Sequence, residues 1–244
     1  MKSLILAVFL SLFVISCSNQ EDGDELQQEY AKINAEKLKN QTQESKPKKP
    51  KGPKYVEGTD YTLLEPIYAT EVDDKVLVYE FFGYSCPHCF YFEPFLEKWL
   101  ENKPSYVKFE RVPLNFQAGW DVLQQGYLTA QSMGISYYTH KKLFEAIHND
   151  HKRFNSIDEL AQWYADVANI DKEAFLSTAE SFILDSKQRK ADKMGFLMQV
   201  KGTPTIVVNG KYRPAKTIRD RDEIMKIVSF LVEKEAKEMG LLKP

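Results

Sequence analysis

Two of the chain's three cysteines lie in one short motif, Cys86-Pro87-His88-Cys89. A C-x-x-C motif is compatible with a redox-active thiol pair, half of a zinc site or an inert disulfide. A zinc site would need two further ligands, for which the distant candidates are His140, His148 and His151. An inert disulfide is disfavoured because the bond would close a very small loop and remove little chain entropy. We therefore favour the redox pair and expect no metal.

The residues around the motif predict how it is held. Residues 76–82 read Val-Leu-Val-Tyr-Glu-Phe-Phe, an almost uninterrupted apolar run that indicates a buried strand. Gly83-Tyr84-Ser85 supplies a turn, and a helix is predicted from about Cys86 to Asn102. Pro87 then lies in the first helical turn, where its missing N–H costs nothing. The motif therefore begins a helix directly after a buried strand.

This position gives the two cysteines different roles. The unpaired N–H groups and the dipole at a helix N-terminus stabilise an anion, and a Cys86 thiolate is such an anion. His88 adds a hydrogen-bond donor or, when protonated, a positive charge beside the thiolate. Cys89 lies one turn further along the helix. We expect Cys86 to be an exposed nucleophile and Cys89 to be a shielded resolving thiol.

A charged residue in the predicted strand indicates a second part of the site. Alternation along the strand places Glu80 on an apolar face, where an acid is costly unless it is paired. Arg111, in a second predicted strand at 106–114, shares a face with apolar residues by the same alternation. We expect Glu80 and Arg111 to meet beneath the cysteines. Two interpretations remain open: a structural ion pair, or a Glu80 that helps to move the proton of Cys89.

The remainder of the chain indicates a mixed α/β fold. Residues 118–197 form a long helical stretch with a capping box at Ser156-x-x-Glu159. Apolar residues at helical spacing in this stretch are predicted to be core, among them Phe175, Ala179, Phe182 and Ile183. A strand returns at Thr205–Val208 and is followed by the hairpin signal Asn209-Gly210. The last helix is predicted to begin near Asp220.

The composition excludes several classes of protein. Of the 244 residues, 33 are Lys or Arg and 35 are Asp or Glu, so the chain is not a globally basic nucleic-acid binder. Its hydrophobic content of 43% fits a packed globular protein. The only long apolar run is at the N-terminus, and no internal transmembrane helix is predicted. No nucleotide or flavin motif is visible, and we expect no cofactor.

The first residues have the pattern of an export signal. Residues 1–16 combine one lysine, an apolar run too short for a comfortable membrane span, and a small residue, which is typical of a secretory signal peptide. The run Val14-Ile15-Ser16-Cys17 is similar to a bacterial lipobox, in which the cysteine becomes the lipidated first residue. The alternative is ordinary cleavage near Ser16 or Ser18. We favour lipidation of Cys17, because a free thiol would be a liability in the oxidising compartment where disulfides persist.

Residues 17–54 are interpreted as the anchor cysteine followed by a polar linker. Acidic and basic residues nearly cancel in this segment. Its end, 46–54, is rich in lysine and proline, which favours an extended and semi-rigid chain. We therefore favour a spacer over a nucleic-acid-binding tail.

Two longer segments resemble a known family. Residues 80–93, Glu-Phe-Phe-Gly-Tyr-Ser-Cys-Pro-His-Cys-Phe-Tyr-Phe-Glu, resemble the active-site segment of the DsbA family, bacterial periplasmic thiol:disulfide oxidoreductases. Gly202-Thr203-Pro204-Thr205 resembles the cis-proline loop of that family, and residues 207–212 continue the match. The resemblance extends from about Tyr61 to the final helix. One departure is Arg111, where the family usually has lysine, so that a titrating charge is replaced by a permanent one.

The resemblance implies a thioredoxin fold with an inserted all-helical subdomain. The first half of the fold would be residues 55–117, with the C-x-x-C motif, and the insertion would be 118–197. The second half would be 198–244, with the cis-proline loop and the C-terminal helix. In thioredoxin folds this loop lies against the C-x-x-C motif. From the residues alone Pro204 could be an ordinary strand-start proline, and the cis bond is expected only from the resemblance.

The resemblance also implies a reaction. A thiolate of a newly exported, unfolded protein attacks the Cys86–Cys89 disulfide, a mixed disulfide forms at Cys86, and a second substrate thiolate resolves it. Thr203 and Pro204 would bind the extended substrate as an added strand. Reoxidation would come from a quinone-linked membrane protein of the DsbB type. A strongly lowered thiol pKa and an oxidising couple are likewise carried over from the family.

Two alternatives remain open at this stage. One is a disulfide reductase or isomerase on the same fold, and the other is a non-catalytic lipoprotein that keeps the fold. Isomerases of this kind carry an added dimerisation domain, which the polar residues 18–54 do not resemble, so we expect a monomer. The intact C-x-x-C motif and Pro204 argue against the non-catalytic alternative.

Overall fold

The computed structural model describes residues 54–70, 74–117 and 119–242. The predicted signal peptide, the predicted lipidation site Cys17 and all but the last residue of the predicted linker lie outside these ranges. The described residues belong to a unit that extends from Pro53 to Pro244.

A five-stranded mixed sheet forms the centre of the described part of the chain. Its strands are β1 (Tyr61–Leu63), β2 (Val76–Phe82), β3 (Val107–Pro113), β4 (Thr205–Val208) and β5 (Tyr212–Pro214). They lie in the order β1-β5-β4-β2-β3, with β2 parallel to β3 and antiparallel to β4. Every residue of β2 is buried, as expected for an apolar strand covered on both faces. The predicted bounds of β2 and β4 are confirmed, whereas β1 was not predicted.

Seven helices accompany the sheet in these ranges. They are α1 (Pro87–Glu101), α2 (Trp120–Ser132), α3 (Ser136–His148), α4 (Ile157–Ala168), α5 (Lys172–Ala179), α6 (Phe182–Leu197) and α7 (Arg221–Glu238). Five of them, α2 to α6, lie between β3 and β4 in the chain. The structure is thus a thioredoxin fold with an all-helical insertion, and the predicted fold class is confirmed. None of the helices in the described ranges has the length and hydrophobicity that a membrane span requires.

The predicted helix starts are confirmed by their caps. The Ser156 side chain accepts a hydrogen bond from the N–H of Glu159 at 3.2 Å, and the Asp220 side chain caps α7 in the same way. The reciprocal half of the capping box differs slightly, because the Glu159 carboxylate accepts from the N–H of Asn155 at 2.8 Å and not from that of Ser156.

The two faces of β2 contact different cores. Val76 and Val78 pack in a cluster with α1 and α7. Tyr79 and Phe81 point to the opposite face, where the cluster includes residues of α6. Phe82, at the end of the strand, joins the core of the inserted helices. The strand that leads into the C-x-x-C motif therefore packs in all three clusters of buried side chains.

Part of the predicted helical core is wrong. Phe175 and Ala179 are buried, but Phe182 is 78% exposed and Ile183 is 67% exposed. The helical spacing does not continue from one pair to the other, because α5 ends at Ala179 and the Ser181 side chain caps a new helix. The change of helix axis turns the second pair towards solvent.

Candidate active site

The C-x-x-C motif lies where β2 passes into α1. Cys86 is the N-cap residue of α1, with extended backbone angles of φ −84° and ψ 112°, and Pro87 is the first helical residue. The turn before it depends on Gly83, because a β-carbon at that position would overlap the ring of Trp120 from α2. The inserted helices therefore pack directly against the turn that presents the motif.

Cys86 is less exposed than the sequence predicts. The residue keeps only 7% of its accessible surface, and Cys89 keeps none. Both are free thiols in the structure, and the Cys86 Sγ lies 3.3 Å from the carbonyl oxygen of Thr203. The cis-proline loop covers Cys86, which explains its burial. The predicted order, with Cys89 the more shielded of the two, is confirmed.

The surroundings stabilise a thiolate at Cys86 and not at Cys89. The pKa of Cys86 is lowered to about 5, chiefly by the hydrogen bond from the Cys89 thiol and, against the effect of burial, by the Thr203 side chain and backbone N–H groups at the helix start. Burial, followed by the hydrogen bond and charge of Cys86, raises the pKa of Cys89 far above its usual value. At neutral pH the reduced pair therefore carries one negative charge, on Cys86.

His88 lies at the surface beside this thiolate. Its side chain is exposed and borders a cavity next to the cis-proline loop. The His88 backbone N–H is among the groups that lower the pKa of Cys86. Its imidazole is not among the leading causes, so a tuning role for that ring remains a prediction.

Glu80 and Arg111 meet beneath the motif, as predicted. They occupy paired positions on the parallel strands β2 and β3, and the Arg111 Nε donates to the Glu80 Oε2 at 3.0 Å. The Arg111 Nη2 also donates to the Glu93 Oε2 at 2.9 Å. Glu93 was not predicted as a site residue, although it belongs to the family-like segment 80–93. Two buried carboxylates thus share one guanidinium.

The two buried acids differ in their protonation state. Desolvation, and then the charge of Glu93, raises the pKa of Glu80 to about 8, while Arg111 opposes the shift. Burial also acts to raise the pKa of Glu93, but its contacts with His140 and Arg111 outweigh burial and lower that pKa. Near neutral pH, Glu80 therefore holds a proton and Glu93 is ionised. The charge of Glu80 contributes to the raised pKa of Cys89, which places this proton close to the buried thiol.

Two histidines of α3 connect the inserted helices to the motif. The Nδ1 of buried His140 lies 2.8 Å from the Tyr84 hydroxyl, and its Nε2 lies 3.3 Å from the Glu93 Oε1. Burial and then the charge of Arg111 lower the pKa of His140, which favours the neutral ring. The His148 Nε2 lies 2.7 Å from the Tyr84 carbonyl oxygen. His148 is the last residue of α3 and is half-buried against the turn that leads into the motif.

The cis-proline loop completes the site. The Thr203–Pro204 peptide bond is cis, which confirms the expectation from the resemblance. Both residues border a cavity of about 550 Å³ that also reaches His88 and Phe92. Within the described ranges, no three His, Cys, Asp or Glu side chains are arranged to hold a metal ion. The site thus combines an ionised thiol, a buried proton-carrying acid and an adjacent groove.

Comparisons with known proteins agree with this site. Residues 77–231 match the family model of the DSBA-like thioredoxin domain. The thiol:disulfide interchange protein DsbA of Pseudomonas aeruginosa is 40% identical over 182 residues, which are 74% of this chain and 86% of that protein. The DsbA of Azotobacter vinelandii is 36% identical over 179 residues, covering 73% of this chain and 83% of its own length.

Solved structures give the same result. The crystal structure of Pseudomonas aeruginosa DsbA superimposes with a TM-score of 0.71 at 39% identity, covering 75% of this chain and 96% of that one. The oxidoreductase DsbA from Xylella fastidiosa superimposes with a TM-score of 0.70 at 32% identity, covering 75% and 98%.

The fold and the asymmetric thiol pair define a thioredoxin-fold enzyme that exchanges thiols and disulfides. The family-model match and the identity to curated relatives make the assignment more specific. The chain belongs to the DsbA family of periplasmic thiol:disulfide interchange proteins.

Proposed function

We propose that the enzyme donates its Cys86–Cys89 disulfide to newly exported proteins through a mixed disulfide at Cys86. The observation that carries the proposal is the opposite shift of the two thiols, with the pKa of Cys86 lowered to about 5 and that of Cys89 raised. A thiolate that is stabilised only in the reduced enzyme favours the reduced state. The disulfide is then a strong oxidant of other thiols.

Each step of the exchange balances. A substrate thiolate attacks the Sγ of Cys86, the Cys86–Cys89 bond breaks, and Cys89 leaves with the electron pair. A second substrate thiolate then attacks the substrate sulfur of the mixed disulfide and releases Cys86 as a thiolate. The substrate loses two electrons and gains a disulfide, and the enzyme becomes the dithiol form.

Glu80 is proposed to supply the proton that Cys89 needs when it leaves. A thiolate at Cys89 would be buried and close to the Cys86 sulfur, which is the reason its pKa is raised. Glu80, with its pKa raised to about 8, holds a proton near neutral pH and can ionise beside Arg111 after giving that proton up. Glu80 is thus a proton donor while it is protonated, and it forms an ion pair with Arg111 once it is ionised.

Thr203 and Pro204 are proposed to bind the substrate chain. The Thr203 carbonyl lies against Cys86, and the cavity beside both residues can receive an extended polypeptide as an added strand. His88, at the rim of the same cavity, is proposed to stabilise the thiolate that each cycle releases.

The partners and the anchor are also proposals. The substrates are thiols of unfolded exported proteins, and the oxidant that restores the disulfide is a quinone-linked membrane protein of the DsbB type. The enzyme acts as a monomer and is held at a membrane through lipidated Cys17. The sequence pattern at 14–17 and the family membership support these assignments.

Three reactions run side by side test the direction of transfer. We expect the oxidised enzyme to oxidise dithiothreitol rapidly and to introduce disulfides into reduced ribonuclease, with little reduction of insulin. A glutathione redox titration should give a potential more oxidising than that of thioredoxin-like reductases. Fast insulin reduction with a low potential would assign the enzyme to the reductases, and shuffling of scrambled ribonuclease without net oxidation would assign it to the isomerases.

A further inference from the structure

The cavity beside the cis-proline loop has an unusual distribution of charge. Five cationic side chains line it, and no carboxylate does. They are Lys201, Arg213, Lys216, Arg219 and Arg221. The chain as a whole has slightly more acidic than basic residues, so this concentration of positive charge is local.

These charges are not neutralised within the described ranges. Lys201, Lys216, Arg219 and Arg221 take part in none of the ion pairs formed there. Arg213 donates to two neutral acceptors, the Thr62 hydroxyl at 3.3 Å and the Gln199 carbonyl at 3.0 Å. A low-dielectric cleft lined by uncompensated charge of one sign attracts ligands of the opposite sign.

The acidic residues closest in sequence to the cationic lining make other contacts or lie outside the cavity. Asp220 caps the N–H of Glu223 at the start of α7. Glu223 accepts from the Tyr55 hydroxyl at 2.9 Å and pairs with Lys226 at 3.1 Å. Asp222 is exposed and does not line the cavity. The cavity therefore keeps its positive character, although an acidic N-cap residue and two acids in the first turn lie at the start of α7.

The cavity is also placed to receive a peptide that carries a reacting cysteine. Its apolar lining, which includes Pro204, Ile206 and Ile218, can bury aliphatic parts of a chain. It reaches Thr203, whose carbonyl oxygen lies 3.3 Å from the Cys86 Sγ. A polypeptide in this cavity would thus have its neighbouring residues within reach of the nucleophile.

We infer that the cavity selects reduced substrates in which acidic residues lie close to the reacting cysteine. This inference rests on the proposed function and specifies its substrate class. Asp and Glu side chains beside the substrate cysteine would contact the cationic lining while the substrate thiolate attacks Cys86. The charges accelerate association and hold the mixed disulfide in register, and the exchange itself is unchanged.

The test uses three synthetic dithiol peptides of equal length, with two cysteines flanked by glutamates, glutamines or lysines. Each is mixed with the oxidised full chain, and peptide oxidation is followed in a single turnover at low and at high salt. We expect the glutamate peptide to react about tenfold faster than the lysine peptide at low salt, the lower end of the effect of charged clefts on association rates. The ratio should shrink at high salt, where the charges are screened.

A pair of double variants assigns the preference to the cavity. Lys216→Glu/Arg219→Glu should bring the ratio of the two rates close to one or invert it. Lys190→Glu/Lys193→Glu changes the charge equally at two exposed positions of α6 and should keep the wild-type ratio. Because the readout is a ratio within each variant, a general loss of activity does not affect it.

The possible failures are distinct. If the wild-type enzyme oxidises none of the three peptides, the proposed function is wrong. If it oxidises all three at one rate, or if both double variants change the ratio equally, only the charge preference is wrong. Faster oxidation of the glutamine peptide by Lys216→Glu/Arg219→Glu than by wild type would mean that the cationic lining hinders the exchange, and would also overturn the inference.

Discussion

Arg111 donates a hydrogen bond from its Nε to the buried Glu80 Oε2 at 3.0 Å, across the parallel pair β2–β3. The same guanidinium donates a hydrogen bond to Glu93, so one permanent positive charge is shared by two acids. Because Glu80 is the more deeply buried acid, it is the one that takes up a proton near neutral pH. This relationship links the stability of the fold to the chemistry of Cys89.

Glu80→Gln should change how stability depends on pH. The folded pKa of Glu80 is raised to about 8, while an unfolded glutamate ionises near its ordinary pKa of 4.5. Between these values the folded state holds a proton that the unfolded state lacks, so this group lowers the free energy of unfolding by about 1.4 kcal/mol per pH unit as the pH rises. The contribution is complete below the unfolded pKa and lost above pH 8.

Urea unfolding of the reduced protein at several pH values checks this. The quantity to plot against pH is the free energy of unfolding of the wild type minus that of Glu80→Gln. Cys86 also makes unfolding depend on pH, in the opposite direction, but it does so in both proteins and cancels in the difference. The difference should fall between about pH 5 and pH 8. A constant difference across this range would mean that Glu80 is ionised throughout.

The two cysteines should differ in their ability to trap substrates. In Cys89→Ser the Cys86 thiolate can still attack a disulfide of an exported protein and form a mixed disulfide. No Cys89 thiol is then present to displace the protein from Cys86, so this variant should accumulate disulfide-linked exported proteins. Cys86→Ser should accumulate none, because Cys89 is fully buried and its pKa is raised. Non-reducing gels of cells that express each variant make the comparison. Equal trapping by the two variants would contradict the assigned roles.

His88→Ala should make the couple less oxidising. Removing a group that stabilises the Cys86 thiolate raises its pKa and destabilises the reduced enzyme. One pKa unit is about 1.4 kcal/mol, which for a two-electron couple is about 30 mV, and we expect the potential to fall by at least about that amount. Thiolate absorbance against pH and a glutathione titration give both quantities.

Thr203→Val is the matched comparison, since the Thr203 side chain is among the causes of the lowered pKa of Cys86. It should shift the pKa and the potential in the same direction as His88→Ala. If the potential falls in Thr203→Val but does not change in His88→Ala, the low pKa of Cys86 is due to Thr203 and the backbone donors. The His88 ring then has no part in lowering it.

Cys17→Ala should release the enzyme from membranes or block its maturation. The pattern Val14-Ile15-Ser16-Cys17 at the end of the predicted signal peptide carries this expectation. Fractionation and mass spectrometry of the mature N-terminus are the measurements. An unmodified N-terminus beyond Cys17 in the wild-type protein would rule out the anchor.

Local sequence determined the parts of the site that depend on neighbouring residues. An apolar run followed by a turn and by Pro87 sets the strand, the turn and the helix start. The placement of Cys86 at the N-cap therefore follows from its neighbours in the chain. Alternation along β2 and β3 likewise predicted the pairing of Glu80 with Arg111, since strand geometry fixes which side chains share a face.

Tertiary structure decided the rest, because those contacts join residues that are far apart in the chain. Thr203 covers Cys86 across a separation of 117 residues, which is the reason the nucleophile is less exposed than predicted. His140 reaches Glu93 and Tyr84 only because the inserted helices fold back onto the motif. The cationic cavity likewise arises when the loop at 201–206 packs beside the segment at 213–224. Local periodicity contains no information on such distant pairings, which depend on how whole elements pack.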